Sequence, residues 1–138
     1  MEKKKYDKTY LNLIEKINDI AGIRIVCTLK DDIFFIRDLV KQIPDIHVLK
    51  EKDYVTNPKE SGYSSYHMIV EVPVKLTQKT IYVKCEIQIR TLAMDFWASF
   101  EHKVKYKTKN DVNPKMSKEL VNCAKMINKF DTKMINYK

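Results

Sequence analysis

Polar and apolar side chains alternate between Val83 and Arg90, in a segment whose polar residues could do chemistry. Glu86, Gln88 and Arg90 fall on one face of the strand that this alternation predicts, and the residues between them are apolar. A carboxylate, an amide and a guanidinium on one face could bind a polar ligand in a cleft. The alternative is a strand with one solvated face.

Two carboxylates could reach the same cleft. Asp19 ends a predicted helix just before a predicted strand, and Glu86 lies in the middle of another. If these strands are neighbours, both side chains can face one polyphosphate, which is a usual arrangement for holding Mg²⁺. One of them could also act as the base for an attacking hydroxyl. The alternative for Asp19 is a helix-end or surface carboxylate.

The second polar segment surrounds one of only two glycines in the chain, Gly22 and Gly62. The segment Lys59–His67 reads KESGYSSYH and combines a lysine, three serines, two tyrosines and a histidine. Hydroxyls and amides suit phosphate oxygens, a cation balances their charge, and an aromatic ring can stack on a base. The segment has neither the GxxxxGK[ST] nor the GxGxxG spacing, so a serine-rich connection is the alternative.

Composition favours a single basic domain. The chain has 138 residues and a formal net charge of +8, which attracts polyanions such as nucleotides, RNA or DNA, although a lysine-rich composition alone is the other explanation. No apolar run is long enough for a membrane span or a signal peptide, so we expect a cytoplasmic protein. The three cysteines, Cys27, Cys85 and Cys123, have no CxxC spacing, which predicts buried reduced thiols without disulfide or zinc.

The elements that must position these residues alternate between helical and strand periods. We expect an α+β domain with a mixed, mostly antiparallel sheet and helices packed on it. In chain order the patterns predict a helix at Lys8–Asn18, a buried strand at Gly22–Leu29, a helix capped by Asp31 or Asp32 and ending at Pro44, a short strand at Ile46–Leu49, a loop at Glu51–Tyr63, antiparallel strands at Ser64–Val74 and Thr80–Arg90, a helix at Leu92–Tyr106, a charged linker and a final helix at Met116–Ile135.

The helix after the first polar segment is predicted to belong to the core. Thr91 is placed to start it, and Met94, Trp97 and Phe100 recur at helical spacing on one apolar face. We therefore expect these three side chains to be buried and to fix the strand that precedes them.

Three ordered motifs point to a family. They are DIAGIR at Asp19–Arg24, DYVTNPKESGYSSYH at Asp53–His67, and EIQIRTLAMDFWASFEH at Glu86–His102, followed by Tyr106 and Lys107. Together they resemble the synthetase domain of RelA/SpoT-type alarmone enzymes, and they are most similar to the small single-domain alarmone synthetases. The resemblance covers roughly Leu11 to Lys107 and implies a nucleotidyltransferase-like synthetase fold.

The resemblance implies a GTP pyrophosphokinase of the stringent response. Such an enzyme transfers pyrophosphate from ATP to the 3′-hydroxyl of GTP or GDP and releases AMP and (p)ppGpp. By motif position, Asp19 and Glu86 would hold Mg²⁺, and Glu86 would be the base. Arg24 would stack on the adenine of ATP. Positioning and charge neutralisation are the main catalytic terms in such a transfer.

The acceptor side follows from the other two motifs. The resemblance implies that Tyr63 stacks on guanine, that Lys59 and His67 contact the acceptor's phosphates, and that Gln88 places the acceptor. Supporting positions would be Arg90 and His102. Ser64 stands where the family commonly has a long arginine or glutamine side chain, so we expect weaker acceptor binding.

The family also has a basic segment before its first motif, and here only 18 residues precede Asp19, with Lys3, Lys4 and Lys5 as its remnant. Residues 1–18 are therefore expected to be a truncated N-terminal segment of the single domain, from a fragment, a misplaced start or a degenerate synthetase with weak ATP binding. With no upstream hydrolase domain, no alarmone hydrolysis is expected.

Two other functions stay open: pyrophosphate transfer to a different 3′-hydroxyl, such as that of a tRNA or an adenine nucleotide, and non-catalytic nucleotide or RNA binding. The last helix, which follows the charged linker within 108–138, could pack on the domain or on another copy of the chain. The resemblance implies a homo-oligomer, which would be a homotetramer if the family interface is retained.

Overall fold

A four-stranded mixed sheet organises the chain. The computed structural model describes residues 21–109 and 111–137, so the predicted helix at Lys8–Asn18, the segment 1–18 and Asp19 lie outside the described residues. The strands are β1 (Ala21–Cys27), β2 (His47–Asp53), β3 (Tyr66–Lys75) and β4 (Thr80–Thr91). The helices are α1 (Lys30–Lys41), α2 (Leu92–Lys107) and α3 (Pro114–Met134), followed by a 3₁₀ turn at Ile135–Tyr137.

The strand order is β1-β4-β3-β2. β1 runs parallel to β4, and the other two pairings are antiparallel. The predicted α+β class and the mostly antiparallel sheet are therefore confirmed. The long strand β4 has neighbours on both sides, because the β3–β4 hairpin leaves its other edge free for the parallel strand β1.

One face of the sheet forms the core against α1. The alternation within β3 and β4 directs one set of side chains into this core, and Ile33 and Val40 of α1 pack against them. The strand members of the core are Tyr66, Met68, Val70, Cys85, Ile87 and Ile89. The alternation predicted for β4 is confirmed, and Glu86 and Gln88 of this strand lie on the opposite face.

Several local expectations are wrong. β1 is a strand, but most of it is exposed because it lies at an edge of the sheet and not between two strands. Neither Asp31 nor Asp32 caps α1, since both lie within its first turn, where they favour the positive end of the helix dipole. β2 continues to Asp53, through residues expected to begin a loop.

Helix α2 begins as the sequence predicts. The Thr91 hydroxyl accepts a hydrogen bond from the Met94 backbone N–H at 3.1 Å. Met94 and Trp97 are buried, but Phe100 is 48% exposed, so its predicted place in the core is wrong. The apolar residues of α2 surround the helix too widely for all of them to face the sheet, and Leu92 and Phe96 are exposed as well.

Helix α3 packs on α2 and on the end of β4. The Trp97 indole N–H donates to the carbonyl of Leu120 at 2.9 Å. The buried Thr91 hydroxyl donates to Asp131 Oδ2 at 2.7 Å, and the Lys30 ammonium donates to Asn128 Oδ1 at 2.8 Å. α3 therefore holds the junction of β4 and α2 through polar contacts as well as apolar ones.

The three cysteines are free, as predicted, but Cys123 is exposed on α3 and not buried. Burial raises the pKa of Cys27 to about 11, with smaller contributions from Asp32 and Asp131, so this thiol stays protonated. Of the helices in the described parts of the chain, none is long and apolar enough to cross a membrane.

Gly62 adopts a left-handed backbone conformation with φ at 99°. A Cβ added there would lie 2.7 Å from the Cβ of Ala124 and 3.1 Å from Cζ2 of Trp97. We expect Gly62→Ala to lower the free energy of unfolding by about 2 kcal/mol or more, because strain and overpacking add. Chemical denaturation measures this loss. Gly22→Ala is the control, since within residues 21–109 and 111–137 only its chain neighbours can lie within 4 Å of the added atom. Equal losses in both variants would contradict the packing.

Asp131 gives α3 a pH dependence. Burial raises its pKa above the ordinary value, and the hydrogen bond from Thr91 only partly offsets this. Folding therefore favours the protonated acid, so this group's contribution to stability is lost as pH rises through the folded-state pKa. Asp131→Asn removes the titrating group, so the variant lacks this loss of stability with rising pH. The amide oxygen can still accept the hydrogen bond from the Thr91 hydroxyl. We expect the Tm of wild type to gain on that of the variant as pH falls from neutral toward 3.8, the ordinary pKa of an aspartate. The exposed Asp111→Asn serves as control, and a constant difference for Asp131→Asn would refute the assignment.

Candidate active site

Two rows of residues cross the open face of the sheet, opposite the core. Strand pairing defines each row, because residues paired across neighbouring strands point to the same side. From β1 to β2, the first row is Arg24, Gln88, His67 and Lys52. The second row is Gly22, Glu86, Ile69 and Lys50. The parallel register of β1 and β4 thus places Gly22 directly beside Glu86.

Glu86 lies between two open clefts. The first cleft, of about 430 Å³, is lined on the β1 side by Gly22, Ile23, Arg24, Glu86 and Gln88. The second cleft, of about 400 Å³, is lined on the β2 side by Lys50, Lys52, His67, Ile69 and Glu86. A carboxylate common to both clefts can act on two ligands at once.

Neighbouring polar groups orient the Glu86 carboxylate. The Gln88 amide donates to Glu86 Oε1 at 3.0 Å, and Nδ1 of His67 lies 3.5 Å from the same oxygen. The other ring nitrogen of His67 is 3.0 Å from the hydroxyl of Tyr63. A polar chain therefore runs from Tyr63 through His67 to Glu86.

Tyr63 is also held from its other side. Nη2 of Arg90 donates to the Tyr63 hydroxyl at 3.0 Å and to the Gln88 side-chain oxygen. The Lys59 ammonium lies 5.3 Å from the centre of the Tyr63 ring and 4.9 Å from that of Tyr54. These distances permit cation–π attraction, and they place the Lys59 ammonium beside both tyrosine rings.

The turn that carries Lys59 and Tyr63 is built by the residues before it. Asp53 Oδ1 accepts hydrogen bonds from the backbone N–H groups of Val55 and Thr56, each at 2.9 Å. Although burial alone would raise it, these bonds and the Thr56 hydroxyl lower the pKa of Asp53. Val55 is buried, so the start of the turn is fixed on the core.

Comparisons with known proteins agree with this geometry. The family described as a region found in RelA / SpoT proteins matches residues 1–111. The chain belongs to the RelA/SpoT family. The resemblance that the three motifs carry is therefore confirmed, and helix α3 lies beyond the part that the family description matches.

Relatives in the family are small synthetases from Bacillus subtilis. The chain is 49% identical over 124 residues to GTP pyrophosphokinase YwaC, covering 90% of this chain and 59% of that protein. It is 37% identical over 134 residues to GTP pyrophosphokinase YjbM, covering 97% of this chain and 64% of that protein. The chain thus spans less than two thirds of the length of either relative.

A solved structure confirms the fold. The small alarmone synthetase 1 from Bacillus subtilis, bound to its product pppGpp, superposes with a TM-score of 0.84 at 37% identity. The superposition covers 99% of this chain and 70% of that one. The predicted synthetase fold is therefore shown.

The structure brings together most of the residues that the sequence singled out. Four of them, Arg24, Gln88, Glu86 and His67, share the open face, and three more, Lys59, Tyr63 and Arg90, lie beside it. His102 lies apart: it is exposed on α2 and lines neither cleft. Ser64 borders a different, smaller cavity beneath the Gly62 turn.

Sequence reasoning missed three residues of this region. Asp95 Oδ1 lies 3.5 Å from Nη1 of Arg90 and 3.5 Å from Nη1 of Arg24, so it connects Arg24 of the first cleft to the buried guanidinium of Arg90. The short strand was expected to end at Leu49 and the loop to begin at Glu51, so Lys50 was left between the two and Lys52 was placed in the loop. The alternation in the sequence HVLKEKD was the signal that could have placed both lysines on one face.

The prediction of a Mg²⁺ site depends on the carboxylates of Asp19 and Glu86. Among the described residues, Glu86 is the only carboxylate that lines either cleft. Nowhere in 21–109 and 111–137 do three or more His, Cys, Asp or Glu side chains gather as a metal site. Mg²⁺ commonly binds through one or two carboxylates together with substrate phosphates. Glu86 lines both clefts, so its carboxylate could bind Mg²⁺ together with the phosphates of a bound nucleotide. The other predicted ligand, Asp19, lies outside the described residues.

The protonation of His67 offers a test of this geometry that needs no substrate. Burial lowers the pKa of His67, Glu86 opposes this, and the charges of Arg90, Lys59 and Lys52 add to it. We expect Glu86→Gln to lower the His67 pKa further and Lys52→Met to raise it, as measured by NMR titration of the imidazole. Glu71→Gln is the matched control, because Glu71 lies 3.9 Å from His47 instead. A shift in the opposite direction for either variant would disprove the arrangement.

Proposed function

We propose that this chain transfers pyrophosphate from ATP to the 3′-hydroxyl of GTP or GDP, forming (p)ppGpp and AMP. The observation that carries the proposal is the place of Glu86 between two open clefts. Both YwaC and YjbM are GTP pyrophosphokinases, and a similar structure holds pppGpp, which supports the same chemistry here.

The first cleft suits the donor nucleotide. Gly22 leaves space directly beside Glu86, since no described residue other than its chain neighbours lies within 4 Å of where its Cβ would be. Arg24 is in the same cleft, with a half-exposed guanidinium 3.5 Å from Asp95. Its planar group can stack on adenine while Asp95 limits its rotation.

The second cleft and the Tyr63 turn suit the acceptor. Tyr63 offers an aromatic ring to guanine, and its hydroxyl is fixed between Arg90 and His67. Lys59 lies beside that ring and can bind a phosphate. An acceptor held between Tyr63 and the second cleft would bring its ribose over Glu86.

The reaction needs a base, an aligned nucleophile and charge neutralisation. Glu86 takes the proton of the 3′-hydroxyl as that oxygen forms a bond to the β-phosphorus of ATP. The bond from this phosphorus to the α,β-bridging oxygen breaks, and AMP leaves with the bonding electrons. Gln88 and His67 hold the carboxylate in position during this step.

Magnesium would be held by Glu86, by Asp19 and by phosphate oxygens. It would supply positive charge to the phosphates as negative charge develops on the leaving AMP.

The test mixes the full chain with labelled ATP, Mg²⁺ and either GTP or GDP and resolves AMP and (p)ppGpp. We expect both products from wild type and a loss of at least about 10²-fold in rate for Glu86→Gln, because the base is removed. Glu71→Gln is the matched control, since Glu71 lies on the same face of β3 opposite Lys84, outside both clefts. We expect its rate to stay close to that of wild type.

Parallel reactions with tRNA and with adenine nucleotides distinguish the other acceptors. Product formation on one of these, with none on GTP or GDP, would replace the proposed acceptor. Absence of AMP with every acceptor would reject pyrophosphate transfer by this chain, and full activity of Glu86→Gln would reject the base.

A further inference from the structure

Two lysines of β2 have no role in the reaction described above. Lys50 and Lys52 line the second cleft together with His67 and Glu86. Within the described residues, neither ammonium has a hydrogen bond or an ion pair to protein. Two unpaired cations in one cleft repel each other and favour a ligand with several negative charges.

The lysines lie at increasing distances from Tyr63. The Tyr63 hydroxyl is 3.0 Å from His67, and Lys52 is paired directly with His67 across the sheet. Lys50 lies one row further, paired with Ile69, about 6.8 Å along the strand at 3.4 Å per residue. A nucleotide has its base and its terminal phosphate at opposite ends, so Lys50 is at the end of the site where the terminal phosphate would lie.

Lys50 is also kept from pairing with the base of the reaction. Ile69 stands between Lys50 and Glu86 in the second row, and strands about 4.8 Å apart separate their backbones by about 9.6 Å. The apolar neighbour offers no competing acceptor. The ammonium therefore remains available to a ligand that extends from Glu86 toward β2.

We propose that Lys50 is a specificity residue that binds the terminal 5′-phosphate of the acceptor nucleotide and makes the site prefer GTP to GDP and GDP to GMP. Lys59 and Lys52, nearer to Tyr63, bind the phosphates that shorter acceptors also possess. The inference rests on the proposed function, because it assumes that a guanine nucleotide occupies the second cleft.

The experiment measures binding of GTP, GDP and GMP to the full chain by calorimetry. Lys50→Met keeps most of the aliphatic stem and removes the charge. We expect it to weaken GTP binding about tenfold, to weaken GDP binding less, and to leave GMP binding unchanged, because the variant loses a charge-assisted hydrogen bond to the terminal phosphate. Lys50→Arg, which keeps the charge, should retain the order of preference.

Lys75→Met is the matched control. Lys75 lies on the same face at the far end of β3, paired with Thr80, and lines neither cleft. It carries the same charge change, so a general electrostatic effect would appear equally in both variants. We expect the three affinities of this control to stay near those of wild type, and the KM for GTP to rise only in Lys50→Met, with kcat unchanged.

The outcomes separate this inference from the proposed function. Equal weakening of all three nucleotides by Lys50→Met, or no weakening at all, would overturn the role of Lys50 while leaving pyrophosphate transfer intact. Failure of wild type to bind any guanine nucleotide would overturn both. A loss confined to GTP and GDP, absent in Lys75→Met, would support the inference.

Discussion

The buried guanidinium of Arg90 is the interaction on which the site depends. Its side chain is only 3% exposed, and an unpaired buried charge costs several kcal/mol. The strand, the turn and the helix therefore each supply a partner: Gln88, Tyr63 and Asp95. Among the described residues, Nε of Arg90 has no hydrogen-bond partner. Losing any of the three partners would therefore leave a further group of this buried cation unsatisfied and would lower the stability of the fold. Because they belong to three elements, one cation sets the relative position of β4, the Tyr63 turn and α2.

How much the sequence could predict depends on whether a pattern is local. The alternation in β4 placed Glu86 and Gln88 on a polar face, and the Thr91 cap is a property of four consecutive residues. The pairing of Gly22 with Glu86 depends on which strand occupies the free edge of β4, and the sequence could state that neighbourhood only as a condition. Local alternation could place Lys50 on one face of β2, but its pairing with Ile69 of β3 joins distant parts of the chain and could not be predicted.

The wrong expectations have a common physical origin. An apolar segment shows which side chains could be buried. It does not show whether the fold places a neighbouring element against each of them. Phe100 has the same apolar character as Trp97, yet only Trp97 faces α3 and donates to Leu120. β1 is rich in isoleucine and valine, but an edge strand has a single neighbour. Helix α3 shows the converse, because its few apolar residues suffice when Asp131 and Asn128 add polar contacts to Thr91 and Lys30.

In the proposed reaction, the charge of His67 decides whether Glu86 is available as the base. A protonated imidazole 3.5 Å from Glu86 would form an ion pair and compete with the acceptor hydroxyl for the same carboxylate. Burial lowers the His67 pKa, and the nearby cations Arg90, Lys59 and Lys52 act in the same direction against Glu86. The ring is therefore neutral near pH 7, and it positions Glu86 without neutralising it. In the proposed reaction, the cations that suit the acceptor's phosphates therefore also keep Glu86 free to act as the base.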